Sequence, residues 1–176
     1  MDNQQVSSKE IDLSWLAAAI EGEGSISFHI GSHIKRGGSP TEIVPMVCVY
    51  NTDWQFIDAC YRAGCYVTGG YITHRRRNPR HKPSWTLTWQ GVKRCSKLLE
   101  AVLPYMKSDK KRRAELLLNY LKSRLTKGSG KGYNRISSEE LVMLIEIRRL
   151  NNKNDASFEK LQRLYTEQFD REKLMI

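Results

Sequence analysis

Residues 14–25, Ser-Trp-Leu-Ala-Ala-Ala-Ile-Glu-Gly-Glu-Gly-Ser, constrain the fold of this chain more than any other stretch. Ser7 and Glu10 stand at the spacing of a capping box, which predicts a helix from about Ser8 to about Gly22. Two stripes share that helix. Ile11, Trp15, Leu16, Ala19 and Ile20 read as a bulky apolar face that needs a core. Ser14, Ala18 and Gly22 recur every fourth residue and are all small. A stripe without side-chain bulk lets a second helix approach until the backbones nearly touch.

The end of the helix is unusual. Glu21 and Glu23 fall where the macrodipole disfavours carboxylates, and Gly22 and Gly24 free the backbone to turn and expose a carbonyl. On these residues alone the simplest reading is a solvated helix end with a glycine cap. If two such ends meet side by side, four acids crowd one small volume. That arrangement requires cations, and hard oxygen ligands suit Mg²⁺ (or Mn²⁺).

Downstream, Gly24 to about Lys35 alternates as a strand, with Ser25, Ser27, His29 and His33 on one side and Ile26, Phe28 and Ile30 on the other. A turn at 35–40 leads to a second strand, Glu42–Tyr50, where Pro45 suggests an edge or a bulge. Asn51-Thr52-Asp53 caps a helix from about Trp54 to Arg62. Strands are expected over Tyr66–Arg76, bent at Gly69-Gly70, and over Pro83–Trp89, so the basic segment 77–82 is a hairpin tip. Val92 to Leu103 is a helix ended by Pro104, and a long helix follows Ser108-Asp109. The order αββαββα gives an α+β fold, a four-stranded antiparallel sheet with one face covered by helices. Beyond a glycine-rich joint, Ser137 and Glu140 open another helix, Asn151 to Asn154 break it, and a last amphipathic helix carries Phe158 to Phe169. The expected organisation is a domain over 8–125, a basic linker over 126–136, and a helical extension over 137–176 that packs on the core.

The 176 residues carry a net charge of +10, which favours a polyanionic partner. The charge is clustered, at 74–82, at Lys107 with Lys110–Arg113, and at 127–131. Neither a lipid-anchor motif nor an apolar run long enough to span a bilayer is present, so a membrane partner is not expected. The four cysteines lack C-x-x-C spacing and read as buried free thiols in a reducing compartment. An organelle (chloroplast or mitochondrion) and a bacterial or archaeal cytoplasm both satisfy that expectation.

Leu16 to Gly24, followed by Ser25-Ile26, resembles the signature of the LAGLIDADG homing endonucleases. Leu16, Ala17, Ile20 and Gly24 are the family's own residues. Glu21 and Glu23 replace its two aspartates, Gly22 is a common variant, and Ala18 keeps a small residue at the packing position. Ala19 departs from the larger apolar residue usual there. The αββαββα order is also similar to that domain.

The resemblance implies a site-specific endonuclease for double-stranded DNA, with Glu23 and the Gly22 carbonyl toward the metal and Glu21 in a structural part at the helix end. Lys110 stands four residues before Ala114, where the family often has a lysine near the scissile phosphate. A phosphate-positioning or solvated lysine is the alternative there. Asn51 falls where the family often places a water-ordering Gln or Asn, although a helix-capping role competes. The signature occurs once. One acid set per chain implies a homodimer that packs through Ser14, Ala18, Glu21 and Gly22 on a near-palindromic target. Some members of the family instead assist intron RNA splicing as maturases, and the sequence alone does not separate the two.

A two-stranded ribbon fits the DNA major groove. His29, His33, Arg75 and Thr86 are the favoured base readers, followed by Ser27, Thr73, Arg77 and Thr88, with Lys35 and Arg80 at the basic hairpin tips. An ordinary solvated sheet face is the plain alternative for this set.

Overall fold

The computed structural model describes residues 7–31, 42–75, 82–127, 136–151, 158–159 and 161–166. Helix α1 (Ser8–Glu23) opens on the expected capping box, the Glu10 carboxylate accepting the Ser7 N–H at 2.9 Å. It runs directly into strand β1 (Gly24–Gly31), which pairs antiparallel with β2 (Glu42–Asn51). Helix α2 (Trp54–Cys65) leads to β3 (Tyr71–Arg75) and β4 (Ser84–Gln90), and helix α3 (Val92–Val102) follows. A short 3-10 turn precedes α4 (Lys110–Thr126), and α5 (Ser138–Leu150) packs against α4. Residues 158–159 and 161–166 are helical as well, with Leu161 buried. The fold is α+β, with one four-stranded antiparallel sheet in the order β1-β2-β4-β3.

Alternation sorts the two sheet faces. Ile26, Phe28, Val47, Val49, Leu87 and Trp89 turn toward the helices and are buried. Leu16 and Ile20 of α1, Leu98 and Leu99 of α3 and Leu117 and Leu121 of α4 join them in one core. Among the described residues no helix covers the opposite face.

Four expectations need correction. Ile11 and Trp15 are not core residues: they are 56% and 39% exposed. The inward stripe of α1 is Leu13, Leu16, Ala17, Ala19 and Ile20, and Ile11 and Trp15 share the outward face, about half a turn away, with Ser14, Ala18 and Gly22. Pro45 lies in an interior strand, where the ladder to β4 begins only at Met46 and no β4 residue demands its missing N–H. Strand β3 starts at Tyr71, not at Tyr66, because Val67 and Thr68 donate to the Gly64 carbonyl and hold a turn there. Cys48, Cys60 and Cys95 are buried free thiols, whereas Cys65 is exposed.

A buried ionic cluster ties the end of α4 to the start of α5. Glu140 accepts from Ser123 at 2.7 Å and from the Ser137 N–H at 2.9 Å, and pairs with Lys127 at 2.8 Å and Arg124 at 3.3 Å. Burial pushes its carboxyl pKa up, but those bonds and the Arg124 charge outweigh burial and hold it below the ordinary value. A depressed carboxylate stabilises the fold above its unfolded pKa and loses that contribution as pH falls through its folded value. Glu140→Ala is therefore expected to cost about 3 kcal/mol near neutral pH and much less in acid, measured by chemical denaturation. A loss independent of pH would assign the cluster no ionic role.

Candidate active site and nucleic-acid face

The acidic end of α1 is built by three segments far apart in sequence. Gly24 leaves the helix in an extended conformation, its N–H bonded to the Ile20 carbonyl, and pairs with Val49 of β2. The Glu21 carboxylate is spent on structure: it accepts the backbone N–H of Lys107 at 2.8 Å and that of Ser108, in the segment that enters α4. Burial raises its pKa, and the bonds from Ser108 and Lys107, with Lys110 nearby, bring it below the ordinary value. Glu23 is exposed at the last position of the helix.

Lys110 completes the end. Its Nζ donates to the Gly24 carbonyl at 2.7 Å and to the Ile20 carbonyl at 3.3 Å. A cation on the last carbonyls of a helix meets the negative pole of its dipole. Burial and the Arg113 guanidinium lower the Lys110 pKa, against the pull of Glu23 and Glu21. The structure thus brings Glu23, Glu21 and Lys110 together, as their sequence spacing did not require.

Asn51 lies at the end of β2, on the side of the sheet where Val49 meets Gly24. Its Oδ1 accepts the Asp53 N–H at 2.9 Å, and the helix N-cap is Asp53, which accepts from Gln55 at 2.8 Å. Asn51 therefore stands two residues before the cap, in an Asx turn.

Among the described residues, nothing packs over the small stripe of α1. Ser14, Ala18 and Gly22 are exposed, and a Cβ added at Gly22 would find no atom within 4 Å. The Ser14 hydroxyl donates to the Ile11 carbonyl at 2.8 Å, so its donor is already used within the helix. Trp15 packs beside Phe56 of α2, ring centroids 5.5 Å apart, and widens the stripe with apolar surface.

On the open sheet face, His29, Thr73 and Arg75 are exposed and Thr86 is half-buried. Ser27 and Thr88 point the same way but are only 7% and 5% exposed, too sunken to lead a contact. Thr88 sits 3.6 Å from the Cys48 sulfur and adjoins Tyr71 across the ladder. His33, Lys35, Arg77 and Arg80 lie outside the described residues.

Residues that the sequence reading passed over share this face. Tyr50 (with its hydroxyl 3.4 Å from that of Ser25) lies opposite Thr86, and Tyr71 and Gln90 (bonded to each other at 2.7 Å) extend the face past Thr88. The alternation of β2, extended through Met46, Cys48 and Tyr50, carried the signal for the first of them. Among the described residues no three of His, Cys, Asp and Glu gather into one group.

This sheet order, with a helix that ends in acids at the sheet and strands free on one face, is the LAGLIDADG homing endonuclease fold. The chain is similar to I-CvuI, solved in complex with its target in the presence of Ca, at 18% identity over 90% of this chain and 95% of that one, TM-score 0.63. It is similar to the group I intron-encoded homing endonuclease I-CeuI complexed with DNA, at 16% identity over 94% and 78% of the two chains, TM-score 0.65. For the LAGLIDADG meganuclease I-CpaMI bound to uncleaved DNA the figures are 19%, 88% and 51%, TM-score 0.63. No protein-family model matches the sequence, and no curated protein sequence matches it either.

Proposed function

We propose that this chain is a site-specific double-strand DNA endonuclease, an intron-encoded homing endonuclease that acts as a homodimer on a near-palindromic target by metal-dependent phosphodiester hydrolysis. The observation that carries the reading is the outward stripe of α1. Small residues and open space at Ser14, Ala18 and Gly22 lead directly to Glu23, beside Lys110. Two copies packed through that stripe would bring two Glu23 carboxylates together under a sheet surface twice as long. A chain that carries a single unit of this fold is consistent with its covering 95% of I-CvuI and 51% of I-CpaMI.

The donor set fits a hard divalent cation: an exposed carboxylate at Glu23 and the carbonyl of Gly22, doubled by the partner. Mg²⁺ or Mn²⁺ bound there would supply charge neutralisation at the phosphate and a more acidic water. The protein supplies the rest. Glu21 fixes the helix end to the Lys107–Ser108 segment, and Lys110 presents an ammonium beside Glu23 for the charge that develops on a phosphate oxygen. Asn51, held in its Asx turn, is a candidate to order a water at the rim. The exposed His29, Arg75 and Thr73, with Thr86, Tyr50 and Gln90, offer donors and acceptors to base edges.

A library of randomised duplexes incubated with the chain and Mg²⁺, with the cut ends sequenced, is expected to return one long site of near two-fold symmetry cut on both strands. Cutting only at unsymmetrical sites, or none with Mg²⁺ or Mn²⁺, would overturn the reading. Affinity for that site should fall about 10³-fold or more between roughly 50 and 200 mM salt, measured by fluorescence anisotropy, if at least six phosphates are neutralised. A shallow salt dependence would deny the basic clusters a backbone role.

A further inference from the structure

The end of α5 reaches the catalytic neighbourhood from behind. Strand β1 is an edge strand, so its outer carbonyls need partners from elsewhere. Two of them receive side chains from the end of α5. Asn151 Nδ2 donates to the Ile26 carbonyl at 3.1 Å, and Arg148 Nη2 donates to that of Phe28 at 2.8 Å, with the guanidinium 4.5 Å above the Phe28 ring centroid.

The other end of the Asn151 amide faces α4, where Oδ1 accepts from Arg113 Nη1 at 2.7 Å. A guanidinium only donates and a carbonyl only accepts, so the two partners dictate the amide's orientation. Asn151 is itself fixed, its N–H bonded to the Ile147 and Arg148 carbonyls, both at 3.1 Å.

The positions of those two partners matter. Arg113 stands on the first turn of α4, three residues after Lys110. Ile26 stands two residues after Gly24, whose carbonyl receives the Lys110 amine. The segments that meet at Lys110 are thus tied a second time, one turn further on, through a single side chain.

We propose that Asn151 is a positioning residue: it joins Arg113 of α4 to the Ile26 carbonyl of β1 and thereby holds the Lys110 amine at the acidic end of α1. Its consequence for DNA cleavage rests on the endonuclease reading above. Removing the amide breaks the tie between Arg113 and β1. The bonds of Lys110 and those from Lys107 and Ser108 to Glu21 remain, all before or at the start of α4, so its first turn has fewer restraints relative to β1 and can drift. A drift of about 1 Å is enough to lower a reaction rate up to ~10²-fold without loss of binding.

The test uses the full-length chain with Asn151→Ala, Arg113→Ala, the double variant and Asn151→Asp. Lysine acetylation by an N-hydroxysuccinimide ester, followed by mass spectrometry, reads the Lys110 amine without any DNA. In Asn151→Ala, Lys110 is expected to label about threefold faster or more, while Lys122, paired with Glu100 further along α4, labels unchanged. Single-turnover cleavage should fall about tenfold while affinity for the target stays within about twofold.

The double variant should be no slower than the slower single one, because both substitutions open the same link. Asn151→Asp keeps an acceptor for Arg113 but replaces the donor to Ile26 with a carboxylate oxygen that the carbonyl repels, so it should release Lys110 as well. Unchanged Lys110 labelling in Asn151→Ala and Asn151→Asp, or losses that add in the double variant, would overturn the proposal. A chain that cuts no duplex yet shows the labelling response would count against the endonuclease reading alone.

Discussion

Glu23→Gln is expected to leave the chain folded and bound to its target while Mg²⁺-dependent cleavage falls about 10³-fold or more, the loss of several kcal/mol of transition-state stabilisation. The substitution keeps the length of the side chain and removes only its charge. Glu23 is exposed at the end of α1, so the fold does not depend on it in the way that it depends on Glu21, whose carboxylate bonds two backbone N–H groups. Removing a negative charge near a phosphate backbone should, if anything, tighten binding. Cleavage and affinity are therefore expected to move in different directions, which general misfolding cannot imitate. Glu21→Gln makes the contrast: its first effect should be on stability, because the acceptor of those bonds loses its charge. If Glu23→Gln cuts at the wild-type rate, the metal-facing acid lies elsewhere.

How far the sequence reached depended on the range of each interaction. The capping boxes at Ser7–Glu10 and Ser137–Glu140 are four-residue signals, and both formed as expected. Strand alternation correctly sorted Ile26, Phe28, Leu87 and Trp89 from Ser25, His29 and Thr86. It gave the face but not the depth, so Ser27 and Thr88, short side chains among larger neighbours, sit below the surface they point to. Helix periodicity misplaced Ile11 and Trp15 because α1 has apolar residues on two sides, and pattern alone does not say which side meets the core. Sequence could not supply the links from Lys110 to Gly24 and Ile20, or from Glu21 to Ser108, which span more than eighty positions. Asn151 was legible only as a helix breaker. Its two side-chain bonds exist because β1 is an edge strand, a fact of topology.

Gly22→Leu and Gly24→Ala, two residues apart, are expected to have opposite effects on the isolated chain. At Gly24 a Cβ would lie 2.6 Å from the Ile20 carbonyl oxygen and 2.8 Å from that of Cys48, both backbone atoms that cannot swing aside. The helix-to-strand junction must then shift, at a cost of about 1–3 kcal/mol. At Gly22 a Cβ meets open space, and the residue is in a helical conformation that any side chain accepts. Leucine there should raise the stability of a lone chain by up to about 1 kcal/mol, since glycine is among the poorest helix formers. A single chain that folds better without its glycine has no internal use for it. The use proposed here is external: helices joined through Ser14, Ala18 and Gly22 can come closer than the usual ~8–10 Å, and a leucine would force them apart. Gly22→Leu should therefore denature later than wild type at dilutions where both are monomers, yet sediment as a monomer where wild type is dimeric, and it should lose double-strand cleavage. A Gly22→Leu chain that still dimerises and cuts both strands would place the subunit contact on some other surface, and α1 would be only an amphipathic helix with a bare outer face.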